Sequence, residues 1–113
     1  MDIPTLRDWV SAWPGVAEDI KWGQALVFSV GLKMFCATDA SGAGRLGFKV
    51  DAERFLELTD RPGFAPAKYL ARAHWVEVAP DALPADELRA LARRSYELVR
   101  ARLTKTQQRK FDD

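Results

Sequence analysis

Between Arg45 and Val50 the chain alternates without a break: Leu46, Phe48 and Val50 fall on one side, Arg45, Gly47 and Lys49 on the other. That is the period of a strand with one buried and one wet face, and such strands belong to antiparallel sheets. Neighbouring segments fit the same sheet. Ala17 to Trp22, Leu26 to Val30 and Lys33 to Thr38 read as further strands, divided at Gly23 and at Gly31-Leu32. Connections of that length are hairpin turns. A fifth strand is expected over Ala73 to Ala79, with Trp75 on the face opposite Val76.

Helical spacing marks the remainder. Ile3, Leu6, Val10 and Trp13 recur at helical intervals behind Asp2 or Thr5 as a cap, and Pro14-Gly15 stops the helix. Asp51 suits the start of a central helix to Thr59, with Phe55 and Leu58 inward. Phe64 to Ala71 reads as a connection anchored by Tyr69 and Leu70. Pro84 opens a last helix to about Leu103, its stripe formed by Leu88, Leu91, Ala92, Ser95, Val99 and Leu103. Residues 104–113 are polar and are expected to fray. The order α-β-β-β-β-α-β-α predicts a two-layer α+β domain spanning residues 1–113. Its mostly antiparallel five-stranded sheet is expected to carry helices on one face and leave the other open.

At 113 residues, 48% of them hydrophobic, such a domain can fold without disulfides or a structural metal. Cys36 is the single cysteine, so no internal disulfide is available. No apolar run reaches the roughly 20 residues a membrane span needs. Met1-Asp2-Ile3-Pro4 has no basic or apolar leader pattern, and a cytoplasmic location is the expectation.

Catalytic patterns are not legible. His74 is the only histidine, and it meets Cys36 only if two strands and two faces coincide. One His and one Cys do not make a structural zinc site. Glu18-Asp19 are adjacent on a strand and so point to opposite faces. Ser41-Gly42-Ala43-Gly44 joins two strands and lacks the Lys-Ser/Thr of a phosphate loop. The expectation is a non-enzymatic protein with no metal and no cofactor.

Charge is uneven. Residues 1–88 hold nine Lys/Arg against thirteen Asp/Glu, and residues 89–113 hold eight against three. The basic last helix reads first as a solvated face that also complements the helix dipole. On the strands, Arg45 and Lys49 share a face, with Lys21 and Lys33 on earlier strands. If Phe35 has the parity of Lys33, and Trp75 faces away from Val76, rings join those cations on the open face. Such a surface holds phosphates and stacks on bases, with the Gly42 loop as a wing. The plainer reading stands beside it: strands carry Lys and Arg wherever they meet water, and aromatics there close a second small core.

A set of short motifs extends along almost the whole chain. They are Trp13-Pro14-Gly15, Trp22-Gly23, Lys33-Met34-Phe35 and Phe48-Lys49-Val50, then Pro62-Gly63-Phe64-Ala65-Pro66-Ala67-Lys68-Tyr69-Leu70 and His74-Trp75-Val76. Leu83-Pro84, Glu87-Leu88 and Ser95-Tyr96-Glu97-Leu98-Val99 complete it. In order and spacing the chain resembles the MmcQ/YjbR family of small bacterial proteins. The resemblance implies a CyaY-like α+β fold and a double-wing DNA-binding protein. Joined to the strand reading above, it gives the expectation of sequence-tolerant binding to duplex DNA, with Lys33, Arg45 and Lys49 on phosphates, Lys68 and Arg72 extending the surface, and Phe35 and Trp75 stacking or wedging. The alternative is a protein-interaction or chaperone-like module whose open sheet or edge takes a partner segment.

Overall fold

The computed structural model describes residues 2–42 and 44–110. Helix α1 (Ile3–Ser11) is capped by the Asp2 carboxylate, which accepts from the Thr5 N–H at 2.9 Å. Four strands follow: β1 (Val16–Lys21), β2 (Ala25–Val30), β3 (Lys33–Asp39) and β4 (Leu46–Lys49). A 3₁₀ turn at Ala52–Arg54 leads into α2 (Phe55–Thr59), then β5 (Phe64–Pro66), a second 3₁₀ turn at Ala71–Ala73 and β6 (Trp75–Val78). The chain continues through α3 (Ala85–Arg100) to α4 (Lys105–Arg109).

The sheet has six strands, not five, in the order β1-β2-β3-β4-β6-β5, and every pairing is antiparallel. The additional strand is β5, inside the segment expected to be a plain connection. Three residues ending in Pro66 give too short a pattern to read, and proline is tolerated because β5 lies at an edge.

The main core lies between the sheet and the helices. It takes Leu6 and Val10 from α1, Leu58 from α2 and the whole expected stripe of α3, with Tyr96 added. From the sheet it takes Leu26, Phe28 and Val30, Phe35 and Cys36, Leu46 and Phe48, Val76 and Val78. All helices that contribute to this core therefore cover one sheet face.

Two local features differ from simple alternation. Between β2 and β3 the register shifts: Phe28 opposes Cys36, but Ser29 opposes Met34. Phe35 is the extra residue of a β-bulge, and both Phe35 and Cys36 point into the core. Ser95 of α3 closes the gap this leaves beside β4. Its hydroxyl donates to the Phe35 carbonyl at 2.5 Å and accepts from the Lys49 N–H at 2.9 Å. At the C-terminus, Thr104 and Gln107 form a reciprocal capping box. Gln108 donates to the Leu103 carbonyl at 2.9 Å. Lys105–Arg109 thus form a short capped helix, and residues 111–113 lie outside those described.

Candidate nucleic-acid interface

The face away from the helices is mixed in charge. Register with β2 puts Ala17, Asp19 and Lys21 on it from β1, and Ala37 and Asp39 from β3. Strand β4 adds Gly47 and Lys49, and β6 adds Trp75 and Glu77. Asp19, Asp39 and Glu77 therefore interleave with Lys21, Arg45 and Lys49, so the open face is not a continuous basic surface.

Neither expected stacking residue is available. Phe35 is fully buried, in a ring cluster with Tyr96 at 5.5 Å and Trp13 at 6.2 Å. The bulge put it there, and Lys33, opposite the core-facing Val30, follows it to the helix side. Trp75 does lie on the open face, yet it is only 5% exposed. Its indole lies over Gly47, where a Cβ would stand 3.7 Å from the ring. Val27 is buried on the same face. For Trp75 the plainer reading fits, while Phe35 belongs to the main core.

The cations nonetheless gather, at one end of the sheet rather than across its face. Lys33 follows the β2–β3 turn, and the side chain of Leu103 packs against Gly31 in that turn, which brings Arg102 to the same end. Lys49 closes β4 there, and its ammonium donates to the Ala73 carbonyl at 2.6 Å. Burial and the nearby Arg102 charge hold the Lys49 ammonium below its ordinary range. Arg72 lies beside Ala73 in the 3₁₀ turn, and the Lys68 ammonium stands 5.7 Å from the Tyr69 ring centroid. Arg45 is the exception. It precedes Leu46 at the far end of β4, about 13 Å from Lys49 along the strand. The Gly42 loop is at that far end too, with Gly42 against Ile3, so it does not flank the gathered cations. Ala43, at its tip, lies outside the described residues.

Two residues at the basic end were not expected. Tyr69, expected to anchor its connection, is 92% exposed, and Leu32 is 97% exposed. Both have left-handed backbone, φ 69° in each case. No sequence pattern announces a left-handed tyrosine or leucine, since glycine and asparagine are what such positions favour. Helical periodicity likewise gives Arg102 no role beyond a solvated helix face. The neighbouring arginines are engaged within the fold: Arg94 makes two bonds to Asp51 at 2.9 and 2.7 Å. Arg93 pairs with Glu97 and lies over Trp13 and Tyr96.

Nothing resembling a catalytic pair forms from Cys36 and His74. Cys36 is buried in the core, where desolvation pushes its thiol far above the usual range. His74 stands at the sheet end with its ring edge-on to Phe55 at 5.7 Å. Among the described residues no group of His, Cys, Asp or Glu is placed to hold a metal ion. No helix among them is long and apolar enough to cross a membrane.

Comparison with known proteins gives a consistent relationship. The crystal structure of Deinococcus radiodurans protein DR2400, described by the family domain DUF419, superposes with a TM-score of 0.88 at 34% identity. The alignment covers 97% of this chain and 87% of that one. A structural-genomics protein from Pseudomonas syringae shares the fold at a TM-score of 0.74 and 21% identity, over 88% of this chain and 99% of its own. No curated protein matches significantly. The YjbR family model matches residues 11–98, from the end of the first helix to the last turns of α3, and the chain belongs to the YjbR family.

Proposed function

We propose that this protein binds duplex DNA without base selectivity, gripping phosphates with the cations at one end of its sheet. The observation that carries this is the placement of Lys33, Lys49, Lys68, Arg72 and Arg102 at one end of the sheet, where Tyr69 beside Lys68 is exposed. These groups come from four separate segments, and such a cluster costs repulsion that the fold alone does not require. Burial first, and the nearby Arg102 charge second, lower the affinity of Lys49 for a proton, in keeping with such a crowding of cations. Phosphates relieve it, because each contact neutralises a cation and releases a counterion. Tyr69 and Leu32 supply a ring and an apolar tip of the kind that wedges against bases or sugars. The two turns that carry them, rather than the Gly42 loop, take the part of wings.

The test is a fluorescence anisotropy titration of labelled duplex at low and at physiological salt. Each phosphate contact contributes about −0.9 to the slope of log K against log salt. The triple variant Lys33→Glu, Lys68→Glu, Arg72→Glu is expected to flatten that slope by about 3 and to weaken low-salt binding at least tenfold. The control Lys21→Glu, Arg45→Glu, at the other end, is expected to change little. Equal loss in both would reduce the site to diffuse charge, and undiminished affinity in the folded triple variant would remove it. Absence of any binding by the wild type at low salt would turn attention to protein segments as partners.

A further inference from the structure

The two edges of the sheet are treated differently. The β5 edge is three residues long and ends in Pro66, a form that resists further pairing. The β1 edge has six residues, Val16-Ala17-Glu18-Asp19-Ile20-Lys21, with neither proline nor glycine, and five of them are exposed. Ile20 is 50% exposed and Trp22, just past the strand, 78% exposed.

We propose that β1 pairs antiparallel with β1 of a second copy of this chain, making a two-fold dimer with one continuous sheet. The backbone fixes which registers are open. The Val16 N–H goes to the Trp13 carbonyl and the Ile20 N–H to the Asp19 carboxylate at 2.8 Å, neither to β2. Residues 16, 18 and 20 therefore turn their backbone groups outward, and an added strand must set such residues against one another. Centring the two-fold at Glu18 opposes Glu18 to its own copy. Pairing Glu18 with the partner's Ile20 opposes Asp19 to the partner's Asp19. Of these three registers only the one centred at Ile20 escapes both: Ile20 meets the partner's Ile20, and Asp19 meets the partner's Lys21 twice by symmetry.

Those two charge pairs fall at the closely spaced, non-hydrogen-bonded positions, where cross-strand side chains interact most. Trp22 comes beside the partner's Glu18. In the monomer the Asp19 carboxylate covers the Ile20 N–H, so dimerisation exchanges a local bond for the partner's backbone and Lys21. Strand pairing with so few side chains lies at the small end of stable interfaces, so association is weak and concentration-dependent.

Sedimentation equilibrium from micromolar to millimolar protein tests this, with circular dichroism confirming that each variant is folded. Wild type is expected to associate reversibly to a dimer. Asp19→Lys and Lys21→Asp each set like charges opposite one another and are expected to weaken association roughly tenfold or more. An equimolar mixture of the two single variants restores opposite charges at both pairs and is expected to recover a mixed dimer. In the register that opposes Asp19 to its own copy, the two Lys21 side chains do not meet Asp19, and Lys21→Asp has no such effect. A wild type that stays monomeric throughout, or a dimer indifferent to these substitutions, overturns the proposal.

Discussion

Ser95 offers the sharpest quantitative test of how the fold is held. It is fully buried, and its one hydroxyl serves two backbone groups that the bulge at Phe35 removes from the β3–β4 ladder. Ser95→Ala deletes both bonds at once, leaving the Lys49 N–H and the Phe35 carbonyl unpaired away from water. Each orphaned group costs about 1–3 kcal/mol. Alanine returns about 0.5 kcal/mol through its better helix propensity. The carbonyl, with a second lone pair, is the cheaper loss, so a net destabilisation of about 2–3 kcal/mol follows. In a domain of this size that lowers Tm by roughly 10 °C. Urea unfolding followed by circular dichroism should show the midpoint move with the slope unchanged. Hydrogen exchange gives an independent reading, because the Lys49 amide should go from protected to fast-exchanging. A loss under about 0.5 kcal/mol, the size of an ordinary surface change, with Lys49 still protected, would mean that something other than Ser95 closes the bulge.

Two further perturbations test single features. Gly31 and Leu32 both have positive φ, as the central pair of a two-residue type I′ turn requires. Leu32→Gly should stabilise the protein by about 0.5–1 kcal/mol in urea unfolding, since the left-handed leucine is strained and almost wholly exposed; a destabilisation would contradict this. Asp51 is held below the usual carboxylate range by its two bonds from Arg94. A depressed folded pKa adds stability above the unfolded value of about 4 and loses it as pH falls through the folded one. Asp51→Asn should therefore melt lower than wild type at neutral pH and converge with it in acid, whereas a gap independent of pH would argue against the ion pair.

Much of the fold was legible because its signals are periodic. The α3 stripe, the alternation in β4 and the hairpin spacings all survive into the structure, since burial on one face enforces each pattern. The failures have local causes. A single inserted residue reverses parity, and the bulge at Phe35 moved Lys33 and Phe35 to the other side of the sheet. Two successive buried side chains, Phe35-Cys36, are its trace in the sequence, readable once the bulge is known. Trp75 does face away from Val76, as alternation requires, but its burial depends on Gly47 of the neighbouring strand β4, a contact that only tertiary structure reveals. The candidate site fared less well because it is an end of the sheet, not a face. Periodicity tells which face a residue is on and says little about which ends meet.

The exposed apolar side chains tie the two proposed surfaces together. Among the described residues five large ones stand in water: Ile20, Trp22, Leu32, Leu56 and Tyr69. Trp22, Leu32 and Tyr69 are also left-handed, a conformation that costs an L-residue about 1–2 kcal/mol and that glycine adopts freely. Folding gains nothing in return, because none of the three is buried. Strain kept without burial is the mark of a position held for contact with something else. Leu32 and Tyr69 border the basic end, while Ile20 and Trp22 border the open edge at β1; nothing in the structure explains Leu56. Glycine at each left-handed position should therefore raise stability and damage only the surface it borders. Trp22→Gly is expected to weaken self-association and leave DNA binding intact, and Tyr69→Gly the reverse. A variant that lost both together would show that the two surfaces are one.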